Sequence, residues 1–451
     1  MTDFSNTTTE GLVVEPDLGA FMATMQTTFM QLVDARKAGS STVFDGSAGR
    51  ALLYLRMYDL NGNPEDLASA RSYADAALAD VDNLNADYVG FLWGSPGVYS
   101  VAAAVLDRCG DASETVEELV GRVEAAFAAA PTSAPFDDWD SGRAGLLYAA
   151  EFLEENVVFN NSLRRSRSGE VSASDASIIP RETVTAVAEA VVTRGASLSR
   201  EEGYMEFVSP NDGEMWLGQS HGSAGVLHGL LRYAPEIFTS NATARGLILG
   251  TLDHIVSKQQ ESGNFPSEYY DDDADVLVQW DHGAPGVMSV LAEASLKLLQ
   301  LAAVNPDNAT APMTWDEARP YVQRYVASAL KAADCTWERG LLTKGLQMCH
   351  GITGNTYMQL RLASLVRQIN SEGLQFGLSA VANPDTYVWR ALQFQRFVMN
   401  TPELNDPNLM RKPTPDPFAV YTASYESAAV IFQDLVAHAD DPISARGMLA
   451  Y

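Results

Sequence analysis

Cysteine and positive charge are scarce in this chain. Of its 451 residues only Cys109, Cys335 and Cys349 are cysteines, too few and too scattered for a disulfide framework, and a reducing, cytoplasmic compartment is expected. Lys and Arg number 30 against 58 Asp and Glu, a formal net charge of −28. A field of that sign repels DNA, RNA and anionic lipid surfaces, so nucleic acid is not expected among the partners. Long apolar runs are also missing, because the alanine-rich segments are interrupted by Asp, Glu or Arg. No transmembrane segment is expected. The start, MTDFSNTTTEGLVV, has neither the basic opening and apolar stretch of a signal peptide nor the Gly that myristoylation needs. Strand signals are weak, with no hairpin dipeptide between alternating β-branched residues.

What the chain does have is glycine in a repeated setting. A small residue, Trp or His precedes Gly-x-x-Gly and then a long apolar run in six places: DGSAG ending at Gly49, WGSPG at Gly97, SGRAG at Gly145, HGSAG at Gly225, HGAPG at Gly286 and HGITG at Gly354. The copies stand roughly 50 to 80 residues apart, room for a pair of helices each. An eroded seventh copy, Ser424 to Ser427, precedes the apolar run 428–435. The segments after each copy, such as VYSVAAAVL behind Gly97, are too apolar for surface helices and read as inner ones. Between them lie amphipathic segments, Glu65 to Asp80, Ser113 to Ala130, Glu182 to Arg200, Thr243 to Gln260, Trp315 to Asp334 and Asp385 to Met399, which read as outer helices. Asn63-Pro64, Thr132 and Thr314 carry helix-start signals. The pattern predicts an all-α protein of two concentric rings. Residues 1–30 read as a loosely ordered extension of a body covering 31–451, and the Ser/Arg-rich stretch at about 160–177 as a surface insertion.

Three of the six histidines, His221, His282 and His350, immediately precede the first glycine of a repeat. Any one of them could cap or pack a helix start, but their shared position points to one rim and a common task. Cys349 stands beside His350, a pair of donors suited to Zn²⁺, and the matching place before His282 is Asp281. Asp281, Cys349 and His350 would supply three protein ligands and leave a fourth tetrahedral position open, the arrangement of a catalytic zinc site.

The motifs WDHGAPGV (Trp280 to Val287) and KGLQMCHGITGN (Lys344 to Asn355), with HGSAG at His221 and the Gly-Arg-x-Gly of the third repeat, resemble those of the lanthionine synthetase C-like (LanC-like) family over nearly the whole chain. The resemblance implies an α/α toroid, a double ring of about seven inner and seven outer helices, with one zinc held by Cys, Cys and His. It implies activation of a thiol, glutathione in the eukaryotic-type members that this chain is more similar to, for addition to dehydroalanine or dehydrobutyrine in proteins or peptides. Cys349 and His350 match two zinc ligands, and Asp281 stands where the third is normally Cys. His221 matches the acid–base histidine and Asp138 the catalytic aspartate. Lys344 matches a glutathione contact, Arg411 lies near a matching Arg-x-Pro-Asp stretch, and His282 is grouped with the substrate-binding residues. Arg339 and Lys412 are further candidates for an anionic substrate.

These assignments agree with elementary chemistry. A thiol with a pKa near 8.5 is a few per cent ionised at pH 7, and zinc ligation deprotonates it. Addition to an unsaturated carbonyl then calls for a proton at the α-carbon, a task for histidine. A second reading stays open beside the enzyme: a catalytically silent glutathione-binding or regulatory protein, because Asp281 replaces a soft sulfur by a hard oxygen. A kinase that prepares phosphorylated Ser or Thr for elimination is a further candidate partner.

Overall fold

The computed structural model describes residues 12–35, 38–157, 177–209, 212–270, 275–303, 312–342, 345–406 and 424–445. Its helices, in chain order, are α1 (Pro16–Asp34), α2 (Ser47–Asn61), α3 (Pro64–Ala79), α4 (Ser95–Cys109), α5 (Ser113–Ser133), α6 (Arg143–Asn156), α7 (Arg181–Leu198), α8 (Ser223–Arg232), α9 (Pro235–Thr239), α10 (Ala242–Ser257), α11 (Ala284–Ala303), α12 (Trp315–Arg339), α13 (Ile352–Gly373), α14 (Pro384–Met399), α15 (Pro402–Asn405) and α16 (Ser424–Ala437). No β-strand forms among the described residues, and the all-α class is as the sequence predicts. Packing divides the chain into two compact units, one of Ala38–His254 with Phe418–Tyr421, the other of Met1–Lys37, Ile255–Pro417 and Thr422–Tyr451.

Within each unit the helices that follow glycine turns are buried on nearly every side, and those between them carry one buried stripe. In α4 every residue from Pro96 to Leu106 except Tyr99 is buried, whereas α5 buries Val116, Leu119, Val120, Val123, Phe127 and Ala130 at helical spacing. In the first unit the inner helices α2, α4, α6 and α8 contact one another in sequence, while α3 and α5 pack outside them. The second unit repeats the scheme, with α11 against α13 and the outer helices α12 and α14 beside them. This alternation is the local architecture of the predicted double ring, and the six outer helices start and end within five residues of their predicted bounds. α11 is long and apolar enough to cross a membrane, yet 16 of its 20 residues are buried in the protein, so its apolarity is that of an inner helix.

The helix starts at Asn63 and Thr314 are as predicted: the Asn63 side chain accepts from Glu65 N, and Thr314 with Glu317 forms a capping box. Thr132 is not a helix start. It lies in the last turn of α5, and the next helix begins at Arg143. The expected loose extension is corrected from Pro16 onward, because Pro16–Asp34 is helical and buries Leu18, Met22, Phe29, Met30 and Val33; residues 1–11 lie outside the described residues. Phe21 and Phe29 each lie 5.8 Å from the Phe432 ring of α16, and Arg396 pairs with Glu15. Apolar contacts with a distant part of the chain thus order a segment whose own pattern is diluted by Thr, Gln and Ala. Of the predicted surface insertion only Ser177 lies within the described residues.

The glycine pairs have a steric cause. A Cβ on the second glycine would stand 1.7 Å from Phe91 O at Gly97, 2.1 Å from Trp139 O at Gly145, 1.9 Å from Gln219 O at Gly225 and 1.9 Å from Met348 O at Gly354. In each case the carbonyl belongs to the residue six positions earlier. The first glycine is crowded by loop backbone as well, at 2.5 Å for Gly46, Gly94 and Gly222 and 2.4 Å for Gly351. With no side chains in the way, the loop folds back over the helix start and its carbonyls accept the otherwise unpaired first-turn N–H groups from seven residues earlier. Ser47 N donates to Ser40 O (2.9 Å), Ala144 N to Asp137 O (3.2 Å), Ser223 N to Trp216 O (3.0 Å) and Ile352 N to Gly345 O (3.1 Å).

Successive turns are also bonded to each other. Phe44 N donates to Leu92 O (3.0 Å), Leu92 N to Asp140 O (3.3 Å), Trp139 N to Ser220 O (3.2 Å) and, in the other unit, Asp281 N to Cys349 O (3.0 Å). Every accepting residue stands two positions before the first glycine of its repeat. Replacement of Gly225 by Ala is therefore expected to destabilise the protein by about 3 kcal/mol or more, since backbone would have to move. Gly121→Ala, at a position in α5 where an added Cβ meets nothing within 4 Å, is expected to stabilise by up to roughly 1 kcal/mol. Denaturant unfolding of the two variants checks the contrast.

Candidate functional site

Two clusters of ionisable side chains sit on the glycine turns, one in each unit. In the unit containing α11 and α13, the turn before α11 is built by Asn264. Its Oδ1 accepts from Ala284 N (2.9 Å), while its Nδ2 donates to Leu277 O (3.0 Å) and Asp275 Oδ1 (2.9 Å). Gly283 closes this turn at φ +99°, where an added Cβ would lie 2.2 Å from Leu277 O. Gln279 N donates to His282 O (3.0 Å). Across from it, Asn355 Nδ2 donates to Val278 O (3.0 Å) and Gly340 O (2.9 Å), which ties the start of α13 to the same loop. The bond from Asp281 N to Cys349 O then sets Asp281 opposite His350.

The result is a carboxylate between two imidazoles. Asp281 Oδ2 lies 3.0 Å from His350 Nε2 and 3.3 Å from His282 Nε2, and the two rings are nearly parallel, 6.0 Å apart. One donor atom from each of Asp281, His282 and His350 lies within 4.8 Å of the others. Asp281 is buried and the histidines are partly accessible, at 12% and 13% side-chain exposure, so an ion held there would keep a face open to a ligand. The set fits zinc: ligand atoms at about 2.0–2.2 Å in a tetrahedron stand about 3.3 Å from one another, and a carboxylate with two imidazoles is an ordinary zinc donor set. Cys349 is buried at 3% exposure and does not belong to this group of donor atoms.

In the other unit, His221 precedes α8 and faces the turn before α6. Asp138 Oδ2 lies 3.9 Å from His221 Nδ1, and Asp140 Oδ2 lies 3.6 Å from His221 Nε2. Each ring nitrogen thus meets a buried carboxylate. Asp138 is held by Ser141, whose N–H and Oγ donate to Oδ2 at 2.9 and 3.0 Å. Asp137 turns the opposite way, to Arg143 Nε at 2.7 Å and Arg194 Nε at 3.5 Å. Burial pushes its carboxyl up to about 6 even though both guanidinium groups favour the charged form.

Of the remaining predicted residues, Lys344 and Arg411 lie outside the described residues, as does Lys412. Arg339 is committed elsewhere, donating to Asp275 Oδ1 (2.6 Å) and Asp275 O (2.9 Å). Burial works to raise the Asp275 carboxyl, but hydrogen bonds from Arg339 and Asn264 outweigh it and hold the group below its usual range. One feature escapes the sequence reading, Asp140 as a second carboxylate beside His221; His282 is expected on one rim with His350 as a substrate-binding residue and also stands 3.3 Å from Asp281 Oδ2. The signal for Asp140 was present, because it occupies the same repeat position, two before the first glycine, as Asp281 and Cys349.

A family model for lanthionine synthetase C-like proteins matches residues 38–375, most of the chain. The chain belongs to the lanthionine synthetase C-like family. This LanC-like protein is 26% identical over 331 residues to a zebrafish (Danio rerio) protein named glutathione S-transferase LANCL1, covering 72% of this chain and 70% of that one. It is 27% identical over 350 residues to the LanC-like protein GCL1 of Arabidopsis thaliana, covering 75% and 70%. Among solved structures nisin cyclase aligns over 92% of this chain and 98% of its own, at 14% identity and a TM-score of 0.43.

The Asp137–Arg143 pair anchors the turn that carries Asp138 and Asp140. Because folding raises the Asp137 pKa, its charged form is disfavoured in the native state, and its contribution to stability falls as pH rises from about 4 to about 6. Arg143→Gln is expected to cost about 3–5 kcal/mol near neutral pH by stranding a buried carboxylate. Asp137→Asn in the same chain should recover most of that loss and abolish the pH-dependent part, as read by denaturant unfolding across this range.

Proposed function

We propose that this LanC-like protein adds the thiol of glutathione to dehydroalanine or dehydrobutyrine residues of a protein or peptide, using a zinc ion held at the Asp281 and His350 turns. The convergence of a buried carboxylate and two imidazoles on one small volume carries this reading. Family membership and the glutathione S-transferase name of the zebrafish relative support it. Zinc bound there would supply deprotonation of a thiol that is mostly protonated at pH 7. Reduced glutathione as substrate, together with the scarcity of cysteine in the chain, favours a reducing, cytoplasmic setting.

In the addition, a sulfur–carbon bond forms at the β-carbon while the carbon–carbon π pair moves toward the carbonyl. The α-carbon then takes a proton, so S–H is added across the double bond and no group leaves. We assign proton delivery to His221. The carboxylates of Asp138 and Asp140 lie 3.9 and 3.6 Å from its two ring nitrogens, beside a group suited to proton transfer. Asp138 is fixed by Ser141 and orients the ring; Asp140 supports the opposite nitrogen.

The second reading, a silent glutathione-binding relative, is favoured by one observation, the carboxylate of Asp281 where family members carry a thiolate. One assay separates the two. The zinc-loaded native protein, glutathione and a dehydroalanine peptide are expected to give a product heavier by one glutathione in mass spectrometry, and His221→Asn should slow turnover on the order of 100-fold without loss of zinc. Product from Asp281→Cys but none from the native chain would establish the silent reading instead.

A further inference from the structure

We infer that a depression beside the outer helices α5 and α7 binds a tetrahedral oxyanion, a phosphate monoester or sulfate, through the guanidinium groups of Arg143 and Arg194. This site is independent of the thiol chemistry proposed above. Its lining is the first observation that carries it. The depression, about 410 Å³ in volume, is lined by the two arginines and otherwise by the uncharged Pro131, Ala134, Ala190, Thr193 and Ser197. In a chain with 58 acidic residues against 30 basic ones, the charged part of this lining is wholly cationic.

The second observation is how the arginines are held. Ala190, Thr193, Arg194 and Ser197 share one face of α7, at the i, i+3, i+4 and i+7 places. Arg143 is the first residue of α6, which packs against α7. Beneath them the buried Asp137 faces both guanidinium groups on their Nε side, 2.7 Å from Arg143 Nε and 3.5 Å from Arg194 Nε. Arg143 is itself buried, so its direction is set before a ligand arrives. Asp137 is the only hydrogen-bond or ion-pair partner of either guanidinium group among the described residues, and the Nη ends remain as donors. Thr193 Oγ1 and Ser197 Oγ donate to Glu189 O (2.8 Å) and Arg194 O (2.7 Å) within α7, so recognition falls on the arginines.

Geometry and charge then select the anion. A guanidinium group binds an oxyanion best as a fork of parallel N–H donors. A tetrahedral anion has enough terminal oxygens to serve two forks at once, whereas a lone carboxylate has two oxygens for both. Two guanidinium groups against one carboxylate leave a single local positive charge for the anion to meet.

Asp137 also couples the site to pH. Burial lifts its carboxyl to about 6, Arg143 and Arg194 oppose the rise, and Asp138 adds to it. Protonation of Asp137 removes the competing negative charge and leaves both arginines to the ligand. Oxyanion affinity is therefore highest below pH 6 and falls as pH rises through about 6.

Calorimetric titration of the full-length protein with sulfate, whose charge is constant across this range, tests the site at fixed ionic strength. The native protein is expected to bind one sulfate, more tightly at about pH 5 than at about pH 8. Arg194→Gln, which leaves Asp137 paired with Arg143, should weaken binding about 10-fold or more. Arg122→Gln, at an exposed pair on α5, should leave it unchanged, which separates the site from general salt effects. Phosphoserine and a phosphoserine peptide, titrated next, distinguish the sources: tighter peptide binding assigns a protein-borne phosphate, and equal or weaker peptide binding a free phosphate ester. No binding of sulfate, binding unchanged in Arg194→Gln, or acetate held as tightly as sulfate would each overturn the inference. An affinity that does not fall with pH would overturn the coupling to Asp137.

Discussion

The close approach of backbone to backbone at the glycine pairs is the constraint on which the rest of this structure depends. A carbonyl six residues upstream occupies the space where the second glycine would carry a Cβ, and the loop behind it satisfies the first-turn N–H groups of the next helix. That single arrangement starts α2, α6, α8 and α13 without a side-chain cap, whereas the first N–H of α11 donates to Asn264 Oδ1. It also fixes the direction of the residue just before the first glycine. His221 and His350 stand at that position, so the feature that organises the fold also aims these imidazoles, while the turn built by Asn264 and Gly283 aims His282.

The bonds between consecutive turns add the second level of order. They run from Phe44 to Leu92, from Leu92 to Asp140 and from Trp139 to Ser220 in one unit, and from Asp281 to Cys349 in the other. Side chains two and one positions before the first glycine of one repeat are thereby set against those of the next. Asp140 meets His221 in this way, and Asp281 meets His350. Each pairing sets a buried carboxylate against an imidazole, and each keeps its histidine partly accessible. The chemistry proposed for the protein needs both elements, a centre that ionises sulfur and a ring that carries a proton.

Much of this was legible in the sequence because it was repeated. Six Gly-x-x-Gly copies and the alternation of wholly apolar and amphipathic segments predicted the helices and their inner or outer place, and the capping box at Thr314 was visible as residues. The ordering of α1 was not legible, since its stability comes from Phe432 and its neighbours in α16, more than 400 positions away, and its own pattern is diluted. Thr132 misled for the opposite reason: a polar residue ahead of acidic ones resembles a helix start, but it falls in the final turn of α5. Asp140 is legible only through the repeat register, two positions before the first glycine, where it matches Asp281 and Cys349.

The sequence by itself determined the all-α class, the family and the set of residues able to bind a metal or move a proton, because these follow from periodicity, motif and residue type. Only the tertiary structure decided which of those residues meet. Whether a donor joins a cluster depends on turn geometry and on distances of an ångström or less, set by Asn264, Gly283 and the turn-to-turn hydrogen bonds. Adjacency in sequence cannot supply those: Cys349 and His350 are neighbours in the chain, but His350 shares its place with His282, separated from it by 67 intervening residues, because the backbone of one repeat is bonded to the backbone of the next.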